Sequence, residues 1–127
     1  MPYRLIQSPS DRSKLRRHEV IAFEKIADFY HTDISVIRTE IGKTPDIIIP
    51  NLGTWEIKSP QGNSKNTIEN SFKQAKSQST NVIIDFSRLK MRSDVAMRQI
   101  KSYAKKSHKH IKQIKVLTKT GKIIDIT

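Results

Sequence analysis

The sequence predicts an α+β domain: an N-terminal helix, then a mixed or antiparallel sheet of about six short strands, with two further helices set between strands. Three observations carry this expectation. Three stretches repeat apolar residues every three or four positions, as amphipathic helices do. The runs between them are short, β-branched and bounded by Gly, Pro, Asn or Asp, as strands are. Finally, 127 residues suffice for one modest core but not for two, so residues 1–127 are read as a single domain with a flexible lead-in at 1–10.

In "SDRSKLRRHEVIAFEKIADFYH" a Ser/Asp pair starts a helix over residues 11–30, with Leu15, Ala22, Phe23, Ile26 and Tyr30 as its buried stripe. The β-branched "ISVIRT" follows as a strand. Pro45 then precedes "DIII", and "NLG" turns the chain into "TWEIK", so 46–49 and 54–58 form an antiparallel hairpin. "NSKNTIENSFKQAKSQS" is the second helix. Its Asn66 and Glu69 have capping-box spacing, and Ile68, Phe72, Ala75 and Ser79 point inward. The mostly apolar "NVIIDF" reads as a central strand, covered on both faces. A third helix spans 93–106, with Ala96, Ile100, Tyr103 and Ala104 inward and Arg98, Lys101 and Lys105 outward. "IKQIKVLTKTGKIIDI" supplies two last strands joined at Thr120-Gly121. The predicted order is α-β-β-β-α-β-α-β-β.

Composition narrows the function. The chain has no cysteine, which excludes a disulfide framework, thiolate catalysis and Cys-ligated zinc. No apolar run approaches the roughly 18 residues of a membrane span, and the N-terminus lacks the apolar centre of a signal peptide. Residues 1–57 hold 8 Lys/Arg and 8 Asp/Glu, whereas 58–127 hold 16 and 4, so the net charge of +12 lies wholly in the second half. Such a surface suits a polyanion, and nucleic acid is the commonest one. The four glycines are scattered, so no phosphate-cradling loop is present. Few aromatics argue against base stacking on single strands.

A few charged residues resist explanation as solvated surface. Strand alternation sends Trp55 and Ile57 to one face of the sheet and Thr54, Glu56 and Lys58 to the other. A helical wheel puts Glu19 inside the apolar stripe, where a carboxylate needs a partner; pairing with a basic residue at the core edge would explain it without chemistry. Asp46 after Pro45 fits a turn as well as a site. Asp85 and Arg88 end a strand, where they line a cleft or form a structural ion pair. His18, His31, His108 and His110 lack metal-ligand spacing and are read as solvated.

Asp46, Glu56 and Lys58 admit two chemistries. In a metal-dependent nuclease of the PD-(D/E)xK kind, Asp46 and Glu56 hold Mg²⁺ and Lys58 orients or deprotonates water. That group shares the order helix, three strands, helix, strand, and Glu19 matches the acid its first helix often supplies. In a metal-free ribonuclease, the 2′-OH attacks the adjacent phosphate. Glu56 or Asp46 then serves as base and Lys58 as phosphate clamp. A non-catalytic nucleic-acid-binding module is a further alternative, but it leaves Glu19, Asp46 and Glu56 without a purpose. On any of these readings Arg88, Arg98, Lys101, Lys105, Lys112 and Lys115 are the candidate phosphate contacts.

Residues 15–127 resemble the C-terminal tRNase domains of contact-dependent growth-inhibition toxins, which are similar to domains that end some phage minor head proteins. Glu19, Pro45-Asp46, Ser59-Pro60, Gln78, Asp85 and "VLTKTGKIIDI" carry the resemblance. It implies a barnase/EndoU/colicin/RelE-like ribonuclease that needs no cofactor, acts on tRNA in the cytoplasm after delivery into a target cell, and is neutralised by an acidic immunity protein. It also implies that Thr118 and Lys119, on the terminal strand, donate to the scissile phosphate.

Overall fold

The protein is described here from a computed structural model, which covers residues 5–7, 15–37, 45–76, 78–106 and 110–126. The predicted order of elements holds, with one strand added. Among the described residues the sheet has seven strands: β1 (Leu5–Gln7), β2 (Ile34–Val36), β3 (Ile47–Ile49), β4 (Gly53–Lys58), β5 (Asn81–Asp85), β6 (Gln113–Leu117) and β7 (Ile123–Asp125). The helices are α1 (Arg17–Tyr30), α2 (Thr67–Ala75) and α3 (Ser93–Lys106).

Strands lie in the sheet in chain order. β2–β3, β3–β4 and β6–β7 are antiparallel, while β1–β2, β4–β5 and β5–β6 are parallel. The parallel joins are those bridged by helices, since a parallel connection must cross the sheet and a hairpin cannot do so. β1 corrects the expected lead-in at 1–10: Leu5–Gln7 pair with β2, although three residues carry too little pattern to announce a strand.

α1 packs on one face of the sheet, with Phe23, Ile26 and Ala27 against Ile34, Ile47, Trp55 and Ile83. α2 and α3 pack on the other, where Phe72, Ala96 and Ile100 meet Val82, Ile84 and Val116. β5 therefore lies between two apolar layers, which is why its centre alternates no polar residue. The β3–β4 turn places Asn51 and Gly53 at positive φ, 69° and 86°.

Two helix ends differ from expectation. α1 begins at Arg17 rather than residue 11, with Arg16 as its N-cap; residues 11–14 fall outside the described set. The Asn66–Glu69 capping box does not form. Instead Thr67 Oγ1 accepts from the Ser64 N–H at 3.1 Å, and Ser64 Oγ from the Asn66 N–H at 3.2 Å, so a hydroxyl turn starts α2. Ser79 lies beyond the helix, where its Oγ accepts the Asn81 N–H. Among the described residues, no helix is long and apolar enough to cross a membrane.

Candidate active site

The register of the β3–β4 hairpin makes the site. Ile47 pairs with Trp55, so Asp46, just before β3, stands across from Glu56 on the same face. The Asp46 N–H donates to the Trp55 carbonyl at 3.0 Å, and Asp46 Oδ2 accepts the Ile57 N–H at 2.9 Å. That second bond ties the carboxylate to the backbone between Glu56 and Lys58. Both acids are buried, each 2% exposed.

Lys58, two residues on, shares Glu56's side of the strand. Its Nζ lies 3.2 Å from Glu56 Oε2. Glu56 Oε1 is buried and has no hydrogen-bond partner. Burial, and then repulsion from Asp46, push the Glu56 carboxyl up to about 8, against the opposing pull of Lys58. A sheet face that forces two carboxylates together thus holds one of them ready to take a cation or a proton.

These residues open into a cleft of about 480 Å³. Its walls come from four places in the chain: Arg16, His18, Glu19 and Phe23 at the start of α1; the β3–β4 pair; Ser59 and Pro60 after β4 with Arg88 after β5; and Ser71, Gln74 and Gln78 along and just past α2. Glu19 is partly exposed at the cleft wall rather than within the core. Its Oε1 accepts the Arg16 N–H at 2.9 Å, so this acid caps the helix that it reaches the site from.

Behind Lys58 the backbone is braced. Fully buried Asp85 accepts Ser59 Oγ and Ser87 Oγ, each at 2.8 Å, and the Ser87 N–H at 3.0 Å. Arg88 Nη2 donates to the Ser59 carbonyl at 3.0 Å, while its Nε is buried without a partner. Asp85 is thus a strut for the end of β4, and Arg88 a cation of the cleft wall. His18, expected in solvent, lines the cleft, where burial and then Arg88 lower its pKa.

The structure therefore brings Glu19, Asp46, Glu56, Lys58 and Arg88 together. It does not bring the rest. Thr118 and Lys119 form the β6–β7 turn, where Thr118 Oγ1 accepts the Lys122 N–H and lies 3.1 Å from Thr120 Oγ1; neither residue lines the cleft. Lys115 is only 8% exposed. It pairs with Asp125, and its Nζ sits 5.3 Å from the centre of the Trp55 ring. An inward position on β6, between layers, makes it a structural cation rather than a surface contact. Arg98, Lys101 and Lys105 are exposed on α3, outside the cleft. Lys112 is exposed just before β6, and β6 runs parallel to β5, so Lys112 sits at the sheet end opposite Asp85. His31 caps α1 in the left-handed region, His110 is exposed, and His108 lies outside the described residues.

Three polar residues at helical spacing, Ser71, Gln74 and Gln78, were missed as a wall; a polar stripe beside the apolar one was the signal. Among the described residues, no three His, Cys, Asp or Glu side chains group as a metal site. Asp46 and Glu56 nevertheless fit a hard divalent cation of the kind that takes one or two carboxylates and keeps its waters, because Glu56 Oε1 is an acceptor with nothing to accept.

Helices on both faces of a partly parallel sheet, with two buried acids and a lysine converging at the hairpin, define a small α+β domain with a polar cleft. Comparison with known families makes the class specific. Residues 43–123, more than half of the chain, match the contact-dependent growth inhibition CdiA C-terminal domain, and the chain belongs to that family of toxin domains. The fold is similar to a solved "CdiA-CT/CdiI toxin and immunity complex from Burkholderia pseudomallei", with a TM-score of 0.66 and 18% identity over 98% of each chain. The curated protein sequences gave no match.

Proposed function

We propose that this toxin domain is a metal-assisted endonuclease that hydrolyses phosphodiester bonds in RNA, with tRNA as the expected substrate class. One observation carries the reading: buried Asp46 and Glu56 face each other across β3 and β4, with Glu56 Oε1 unpartnered and Lys58 beside Oε2. Two carboxylates alone would repel a phosphodiester; a divalent cation between them would cancel that charge and leave Lys58 to tip the site positive. Asp46 and Glu56 would hold that ion, which when bound polarises the phosphate and acidifies a water.

The chain's own groups do the remaining work. The Ile57 N–H fixes Asp46, and the Asp85–Ser59 bond fixes the backbone that carries Lys58. Lys58 Nζ lies beside Glu56 Oε2, positioned to orient the attacking water and offset charge building on the phosphate. Arg88 adds a second cation, and Glu19 a further acid, to the cleft lining. The metal-free alternative draws on the same acids with Lys58 as phosphate clamp, but the further donors that the resemblance implies, Thr118 and Lys119, lie in a hairpin turn outside the cleft. The unpartnered Glu56 Oε1 is what supports the ion over that alternative.

The family and the net charge of +12 support delivery into a target cell, action on cytoplasmic tRNA, and neutralisation by an acidic immunity protein. The solved relative was itself captured as a toxin and immunity complex. Cleavage of total tRNA and of plasmid DNA, each with and without EDTA, tests the reading. Loss of tRNA cleavage in EDTA and its return with Mg²⁺ or Mn²⁺ is expected. Cleavage that survives EDTA and leaves 2′,3′-cyclic phosphate ends would return the mechanism to 2′-OH transesterification.

A further inference from the structure

The outward charges of α3 do not form the single row expected from sequence; helix packing sorts them into two flanks. Arg98 and Lys106 turn toward α2 and join Lys65 around a cavity of about 280 Å³. Lys101 and Lys105 turn the other way, toward Ile124 and Ile126 at the β7 edge. Three cations and one carboxylate, Glu69, line the α2-side cavity, and Arg98 also lies 3.9 Å from Asp94 one turn back on α3. Its floor is rigid, since the Tyr103 ring stacks on Phe72 with centroids 4.3 Å apart and planes 6° from parallel. Gln99 also lines it, and the Gln99 carboxamide oxygen is buried with no hydrogen-bond partner. Gln99 is only partly buried, and a turn of its carboxamide into the groove would offer that oxygen to a ligand's donor.

We infer that the groove between α2 and α3 is a second RNA-binding site, separate from the cleavage cleft, that takes a ribose–phosphate segment of the substrate. The inference rests on the reading that RNA is the substrate. Lys65, Arg98 and Lys106 meet backbone phosphates, and Gln99 accepts from a ribose 2′-OH, the group that separates RNA from DNA. None of the residues assigned to this groove lines the cleavage cleft, so the site holds substrate without touching the reacting atoms.

Binding is measured on protein carrying Lys58→Ala, so that no cleavage intervenes, using fluorescence anisotropy with tRNA and with single-stranded DNA of equal length. Two variants remove the same charge from the two flanks: Lys65→Gln/Lys106→Gln and Lys101→Gln/Lys105→Gln. All four residues are exposed, and unchanged melting temperatures check the fold. The first variant is expected to weaken tRNA binding by about tenfold and to lower the log–log salt slope by roughly 0.7 per lost contact, the second by less than about twofold. Gln99→Leu is expected to weaken tRNA binding and leave DNA binding unchanged. Equal losses from the two flanks would reduce the groove to general surface charge and overturn the site. Equal loss of RNA and DNA binding in Gln99→Leu would overturn the 2′-OH contact. Weakened binding of an acidic protein but not of tRNA would reassign the groove to a partner. Because binding is read without turnover, these results stand apart from whether the cleft cleaves RNA.

Discussion

At the scale of single residues, two acids of the cleft carry structural and chemical duties that substitutions can separate. Glu19 caps α1 through the Arg16 N–H and also faces the cleft. Glu19→Gln keeps an acceptor oxygen and removes the charge, so it should melt close to the wild type while losing activity. Glu19→Ala removes both and should cost about 1 kcal/mol in urea unfolding. Equal stability of the two variants would mean that the cap contributes nothing. Glu56 differs, because the fold works against its ionised form. Its carboxyl ionises near 4.5 in the unfolded chain and near 8 in the folded one. A raised folded pKa gives stability that is full below about 4.5 and is lost as pH rises through about 8. In EDTA, then, the wild type should weaken between pH 5 and 9 while Glu56→Gln, which cannot ionise, weakens less. Added Mg²⁺ or Mn²⁺ should raise the melting temperature of the wild type and not of the variant. Parallel pH profiles for both proteins would show that Glu56 is not the strained group.

At the scale of elements, the end of β4 matters most. Lys58 is the last residue of that strand, and the next residue, Ser59, is tied to β5 through buried Asp85. Ser59→Ala leaves one oxygen of a buried carboxylate with a single partner, Ser87 Oγ, and should destabilise the domain by about 1.5–3 kcal/mol, read by urea unfolding. Activity should fall further than stability explains, because Lys58 loses its brace. If Ser59→Ala retained full activity, the strut would be structural only. The hairpin itself was legible from Pro45-Asp46 and Asn51-Leu52-Gly53, and the burial of β5 from its run of apolar residues. The start of α1 and the cap of α2 were not. At each, a nearby side chain or backbone group met the free N–H, and local letters offer several equally good candidates for that duty.

At the scale of the whole molecule, the chain carries a net charge of +12 and belongs to a family of growth-inhibition toxin domains. Expression without a neutralising partner should arrest growth, and Lys58→Ala should relieve the arrest. An acidic partner should bind with an on-rate that falls steeply as salt rises. Normal growth with soluble wild-type protein would count against nuclease toxicity. A partner whose association ignored salt would count against charge as the means of docking.

The sequence by itself determined the α+β class, the order of the elements from α1 onward, and the convergence of Asp46, Glu56 and Lys58, because turn residues and period-two alternation act over a few positions. Of the residues that carry its resemblance to growth-inhibition toxin domains, Asp46, Ser59, Gln78 and Asp85 fall within the family match, while Glu19 lies before it. Only the tertiary structure decided which distant groups join that triad. Glu19 and Arg88 reach it because α1 and the end of β5 pack beside β4, whereas Thr118 and Lys119 are held in a turn beyond the cleft. Lys115 was read as surface because a lysine on a strand looks solvated. Its burial against Trp55 and Asp125 depends on which face of β6 the core covers, and that follows from pairing between strands about 30 residues apart, beyond the reach of any local pattern.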